Sequence, residues 1–175
     1  MGLDQFKKQE ALKPYFDSAY GFVEFGTIAK GGFGIGAAYG NGNVFKNNKD
    51  GTEALLGESN MIQASLGFQI GAQVYSEIIF FETEKDFENF SAGNFEFGAD
   101  ANAVALTASA SAKVSTVGNQ GVQAAIIPQD ISVDNMKAQD GTCHYTKGMA
   151  VFTVVQGGLM YEASISGQKF TYKSA

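Results

Sequence analysis

The chain has 175 residues, 12 Lys plus Arg against 18 Asp plus Glu, and a formal net charge of −6. Every base is a Lys, so there is no guanidinium fork for phosphate, and the acidic balance excludes a general nucleic-acid binder. Hydrophobic residues at 45% and charged residues at 17% exclude a disordered tail, while 22 Gly and 15 Phe without any Trp favour strands and tight turns over a helical bundle.

The first twenty residues predict a broken helical segment. Asp4 caps a turn running to Lys13, and Leu12, Tyr15, Phe16 and Ala19 recur at the spacing of one helix face. Pro14 within that pattern predicts a kink or a fresh helix start, and Gly21 a stop. Tyr20 to Phe25 predicts a short strand. From Gly32 to Tyr39 the chain alternates, with Phe33, Ile35, Ala37 and Tyr39 on one face and Gly32, Gly34, Gly36 and Ala38 on the other. A face without bulk invites close approach by another element, and Gly40-Asn41-Gly42-Asn43 predicts the hairpin turn that follows.

Lys46 to Asn60 is polar and reads as an exposed loop. A long strand is expected from Leu66 to Tyr75, and Ile78 to Phe81, apolar on both faces, as a central covered strand. Thr83 and Asp86 form a capping-box signature for a short helix that buries Phe87 and Phe90 and ends near Gly93. Residues 101–115 alternate as a strand, and residues 116–147 read as mostly loop with a possible strand from Val122 to Ile127. Met149 to Ile165 forms a closing hairpin around Gly157-Gly158, and Phe170 and Tyr172 mark a last short strand.

These elements predict one domain over residues 1–175, with a helical segment at 1–20 and a β-rich core at 21–175. The fold class is mainly β (α+β): an antiparallel curved sheet or barrel-like core with two or three short helices.

Chemical motifs are sparse. Gly32-Phe33-Gly34-Ile35-Gly36-Ala37 fits G-x-G-x-x-A, but Ala38-Tyr39-Gly40-Asn41-Gly42-Asn43, read as a β-turn, follows where a dinucleotide site needs a helix. Cys143 and His144 are the only Cys and His; neighbours in extended chain point apart, and too few ligands lie near for zinc. Glu82, Glu84, Asp86 and Glu88 surround a helix start, where negative charge is favoured, and read as a solvated face. No catalytic residue, metal site or cofactor is expected. No stretch approaches the length of a membrane-spanning helix, and the strands lack the aromatic girdles of a membrane barrel.

Four blocks in order carry a resemblance. Ala29-Lys30-Gly31-Gly32-Phe33-Gly34-Ile35-Gly36-Ala37-Ala38-Tyr39-Gly40-Asn41-Gly42 resembles the K-x-G-F-x-x-G-x-x-Y-G-x-G segment of the SYLF domain, or Ysc84-related, family. Leu66 to Gln73 is similar to its G-x-Q-x-G-x-Q strand, Phe95 to Ala101 to its F-x-x-G-x-x-A segment, and Tyr145 to Ala150 to a shortened Y-S-x-x-K-G block. The Trp-Ser pair that often follows the family's loop Gly-Thr is replaced by Glu53-Ala54.

The resemblance implies a non-enzymatic, membrane-associated, lipid-binding module, with head groups of phosphoinositide type bound by an N-terminal amphipathic helix and basic residues. The residues that would carry this are Phe6, Lys7, Lys8, Leu12, Lys13, Phe16 and Lys30, and the glycines expected to be structural are Gly32, Gly34, Gly36, Gly40, Gly67, Gly71, Gly98 and Gly148. Residues 158–165 look most like the bacterial branch, whose members are exported, periplasmic or membrane-anchored. Met1-Gly2 reads as the scar of a removed upstream segment, so any export signal or lipoprotein anchor is not visible in this chain. The alternative is a structural or scaffolding module that binds protein or self-associates through its sheet.

Overall fold

The computed structural model describes residues 3–33, 35–65, 70–98, 101, 103–106, 143–157, 165 and 167–175. In chain order the elements are α1 (Leu3–Lys7), a 3₁₀ turn (Glu10–Leu12), α2 (Lys13–Ser18), β1 (Gly21–Phe33), β2 (Ile35–Asn47), β3 (Glu53–Ser65), β4 (Ile70–Phe81), α3 (Glu84–Ser91), β5 (Val104–Leu106), β6 (Met149–Gly157) and β7 (Lys169–Ser174). The strands form one sheet in the order β5-β6-β4-β1-β2-β3-β7, which does not close on itself among the described residues. All pairings are antiparallel except that of β5 with β6. The mainly β class with short helices is therefore as the sequence implies, with one parallel strand at the edge.

The centre of the sheet explains why Ile78 to Phe81 is apolar on both faces. β4 lies between β1 and β6, and adjacent residues of a strand point to opposite sides. Phe80 faces α2, with ring centroids 5.3 Å from Tyr15 and 5.0 Å from Phe16. Phe81 faces α3, 5.7 Å from Phe87 and 5.0 Å from Phe90. Phe170 of β7 closes over Phe90 at 5.2 Å, so the sheet wraps α3 and the Phe95–Phe97 segment on its inner side. Each buried Phe contributes about 1.5–3 kcal/mol by transfer alone.

α2 starts afresh at Lys13 with Pro14 in its first turn, as the Pro signal predicts, and the chain passes into β1 at Gly21. Thr83 caps α3 in a reciprocal box: its Oγ1 accepts from Asp86 N–H, and its own N–H donates to Asp86 Oδ2.

Three expectations are corrected. First, the turn expected at Gly40–Asn43 is not a turn: β2 runs through it, and the hairpin reverses between Phe33 and Ile35, which pair across the strands. Ala38, Gly40, Gly42 and Val44 point inward, and Ala37, Tyr39, Asn41 and Asn43 outward, so the Asn-Gly repeat is a wet and a dry face. A bulge between Glu24 and Thr27 turns both Phe25 and Ile28 inward. They lie across the two glycines; a Cβ at Gly42 would stand 2.6 Å from Phe25 Cδ1, and one at Gly40 2.7 Å from Ile28 Cγ1.

Second, the loop expected at Lys46–Asn60 shrinks to Asn48–Thr52, because β3 begins at Glu53. Its inward positions include Ser59 and Gln63, polar residues that hide the alternation. Third, Gly32 and Gly36 do not follow one another along one strand: they pair across the hairpin, and Gly71 of β4 pairs with Gly32 on its other side. Of the strand expected over Leu66–Tyr75, the part from Ile70 is β4, and Leu66–Gln69 lie outside the described residues. Gly34, Gly67, the segment Val122–Ile127 and the second arm of the hairpin expected after Gly157 lie outside the described residues.

Candidate functional site

The helical segment and the β2–β3 turn enclose a cleft of about 190 Å³, lined by Lys7, Lys13, Phe16, Asp17, Phe22, Asn47, Lys49, Gly51 and Glu53. It brings two of the lysines singled out in the sequence together with a third, Lys49, that was not.

Each lysine is positioned by its neighbours. Lys7 closes α1 because Phe6, beside it, is fully buried and fixes the turn. Lys13 opens α2, which is tied to the end of β2 by Asn47. This buried side chain donates from Nδ2 to the carbonyls of Phe16 at 2.6 Å and Ala19 at 2.9 Å. The same Asn47 accepts the Lys49 N–H at Oδ1 over 2.9 Å. Lys49 has φ 64 and Gly51 φ 94, so the turn is tight and left-handed at two points. Asn48 and Thr52 close it by a backbone bond of 3.1 Å.

The floor of the cleft is aromatic, with Phe16 edge-on to Phe22 at 5.2 Å. Glu53 Oε2 and Oε1 accept from Lys7 Nζ at 2.8 and 3.0 Å. That pair is part-exposed, so it contributes about 0–1 kcal/mol and yields readily to a stronger anion. Three ammonium groups against the carboxylates of Asp17 and Glu53 leave an excess of one positive charge over an apolar floor, on a protein that is acidic as a whole. Chemically, such a cleft can accept a phosphate-type group from solvent, with Lys acting as point charges.

The other expected contact residues lie elsewhere. Phe6 and Leu12 are fully buried in the core, so in this structure the apolar face of the segment packs against the protein itself. Lys8 is exposed but does not line the cleft. Lys30 pairs with Ala38 and Gln73 far along β1, up to roughly 25 Å from Phe22 at strand rise. Gly40 is covered, Gly98 is exposed, and Gly148 has φ 80 with the Asp86 carboxylate lying where a Cβ would stand.

The remaining polar groups form no catalytic set among the described residues. Cys143 Sγ lies 3.4 Å from Ser18 Oγ, and burial pushes its thiol up, away from the nucleophilic thiolate. The backbone of His144 is clamped by Tyr15: His144 N–H donates to the phenol oxygen at 2.9 Å, and the phenol O–H donates back to His144 O at 3.3 Å. Burial raises the Tyr15 hydroxyl to about 12, so it stays protonated. Of the acids around α3, Asp86 is spent on the capping box, and Glu82, Glu84 and Glu88 are exposed.

Sequence reasoning missed Asn47, Lys49 and Glu53 as site residues. The turn composition Asn48-Lys49-Asp50-Gly51 was visible, but nothing in it points toward Lys7 and Lys13, more than thirty residues away in sequence.

The family model described as Ysc84, Las17-binding protein actin regulator, matches residues 62–174, well over half of the chain. Beta cell expansion factor A of Aeromonas veronii is 27% identical over 165 residues, which cover 94% of this chain and 50% of that protein. The chain thus spans about half the length of this curated relative.

Proposed function

The chain belongs to the Ysc84 (SYLF) family, and on that premise we propose that it is a non-enzymatic module that binds anionic lipid head groups at a membrane surface. The observation that carries this reading is the convergence of Lys7, Lys13 and Lys49 over the Phe16–Phe22 floor. Near an anionic surface a lysine contributes about 1 kcal/mol, so three give weak, salt-sensitive attachment. Glu53 acts as a placeholder that an arriving phosphate displaces from Lys7. Export to the periplasm or a membrane anchor is part of the same proposal, supported by the resemblance of residues 158–165 to bacterial members.

The test is co-sedimentation with vesicles of phosphatidylcholine alone and of phosphatidylcholine with an anionic lipid. Binding is expected only with the anionic lipid and falls as salt rises. The double variant Lys13→Gln, Lys49→Gln loses about 2 kcal/mol, roughly thirtyfold. Equal binding to both vesicles, or an unchanged double variant, overturns the reading.

A second reading is a protein-interaction module. The family description names Las17 binding and actin regulation for its members. On β2 and β3 the cross-strand pair Tyr39 and Ile62 is 51% and 56% exposed, an apolar pair facing solvent. Stable oligomers by light scattering with no affinity for either vesicle favour this reading over the first.

A further inference from the structure

The outward face of β1, β2, β3 and β7 carries a surface of different chemistry from the lysine cleft. Directly opposed residues of paired strands point to the same side, so the register gives the rows that cross these strands. In one row Tyr39 stands opposite Ala29 and Ile62. In the next, Asn41 stands opposite Thr27 and Asn60, and Asn60 opposite Thr171. All of these side chains are exposed, Tyr39 and Ile62 by 51% and 56%. Neighbours within a row are about 4.8 Å apart and the rows about 7 Å apart, so a flat apolar strip runs beside a strip of amides and hydroxyls.

The β1 bulge turns one end of this face into a site. It takes Gly26 out of register between Glu24 and Thr27 and opens a hollow of about 490 Å³, walled by Tyr39, Asn41 and Asn43. Glu24 lines the hollow from the covered side, in register with Asn43 and with the buried Ile78. It is only 6% exposed, and its Oε2 has no hydrogen-bond partner among the described residues. Burial raises this carboxyl more than the charge of the chain's N-terminus lowers it. A buried acceptor left without a donor is costly, and a ligand hydroxyl supplies that donor.

The two strips select a class of ligand. Lys169 stands only at the far edge of the apolar strip, and Lys173 lies opposite Glu58 in the row beyond, so neither strip gathers cations for phosphate. An Asn amide offers two donors and an acceptor, and a Thr hydroxyl both donates and accepts, which matches neighbouring sugar hydroxyls. The C–H face of a pyranose ring is flat and apolar, as are the Tyr39 ring and the Ile62 side chain beside it. An alkyl chain would use the apolar strip alone and desolvate the amides without pairing them.

We propose that this face binds an uncharged, extended, equatorially linked oligosaccharide. It lies across the strands with its C–H faces on Tyr39 and Ile62, its hydroxyl edge on Asn41 and Asn60, and one ring in the hollow against Glu24. The site goes beyond the head-group reading and does not rest on it, because it shares no residue with the lysine cleft.

Calorimetric titration of the full chain with cellohexaose and with chitohexaose, its N-acetylated counterpart, tests it. One-site saturation is expected with at least one of them. Maltohexaose, whose axial linkages coil the chain, binds at least tenfold more weakly than the better of the two. Tyr39→Ala loses at least about tenfold in affinity and Asn41→Ala about fivefold. Both keep the parent's thermal unfolding, because these side chains are exposed. Lys13→Gln, Lys49→Gln retains full affinity, which separates this site from the head-group cleft. Absence of saturation by both cellohexaose and chitohexaose, equal affinity for maltohexaose, or loss of affinity in the double lysine variant overturns the proposal. So does a Tyr39→Ala or Asn41→Ala chain that folds and binds like the parent. A parent that is a stable oligomer by light scattering, becomes monomeric with Tyr39→Ala and binds no saccharide also overturns it, because the face is then a contact between copies. The three saccharides are compared on the parent chain, so they decide the matter even where a variant fails to fold.

Discussion

Replacing Glu77 by Gln removes an acid from the middle of the core, and its effect on stability follows from the structure. Glu77 is fully buried on β4, between Phe25 of β1 and Thr153 of β6 in register. Its Oε1 accepts from Gln168 Nε2 at 2.9 Å, while Oε2 has no hydrogen-bond partner among the described residues. The oxygens Thr153 Oγ1 and Gln168 Oε1 are also buried with no hydrogen-bond partner among the described residues. A proton on Glu77 turns an acceptor into a donor in a polar pocket rich in acceptors, and burial pushes the carboxyl from 4.5 up to about 8. The folded protein therefore binds one more proton than the unfolded chain between those values. The stabilisation is fully present below pH 4.5 and is lost as pH rises through about 8. Each pH unit in that window removes about 1.4 kcal/mol, so some 2–3 kcal/mol is lost between pH 5 and 7. Glu77→Gln holds the neutral form at every pH. Its urea midpoint should match the parent near pH 4.5 and exceed it progressively up to pH 8, at constant m-value. Glu24, whose carboxyl is also raised by burial, acts in the same direction in both proteins and cancels in the difference. Equal pH slopes for parent and variant would refute the reasoning, because they require a Glu77 that ionises alike in the folded and unfolded states.

Two further substitutions probe the frame around the clefts. Gly42→Val drives side-chain atoms into the Phe25 ring and the Glu24 carbonyl, 2.9 Å from a Cβ at that position, and should lower stability by about 1–3 kcal/mol in urea unfolding. An unchanged midpoint would show that β1 does not lie over β2 there. Asn47→Ala removes the donor shared by Phe16 O and Ala19 O and should cost about 1–3 kcal/mol. It also releases α2 from the β2–β3 turn, so anionic-vesicle binding should weaken while the charge count stays the same.

Local chemistry was legible wherever a signal and its consequence lie within one element. Pro14 starts α2, Thr83 and Asp86 cap α3, and Ile78–Phe81 forms the doubly covered central strand. In each case the responsible atoms are a few residues apart, or the burial is so complete that every position is apolar. The alternating glycines were legible as strand but not as register. A period of two runs unbroken through the end of β1 and into β2, so it cannot mark where the chain reverses. The bulge at Glu24–Thr27 decides that register by turning Phe25 and Ile28 to the same side, where only glycines at 40 and 42 leave room.

The amino-acid sequence by itself determined the fold class, the family and an acidic surface without guanidinium groups, because composition, periodicity and ordered motifs are properties of the chain alone. Tertiary structure decided which charges meet. Lys7 finds Glu53 and shares a cleft with Lys13 and Lys49 only because Asn47 ties α2 to the end of β2. Glu77 becomes a buried acid only because β1 and β6 flank β4 on either side and Gln168 lies over it. Both outcomes depend on contacts across tens of residues, and the energy of a charge is set by the dielectric and the partners that such contacts supply.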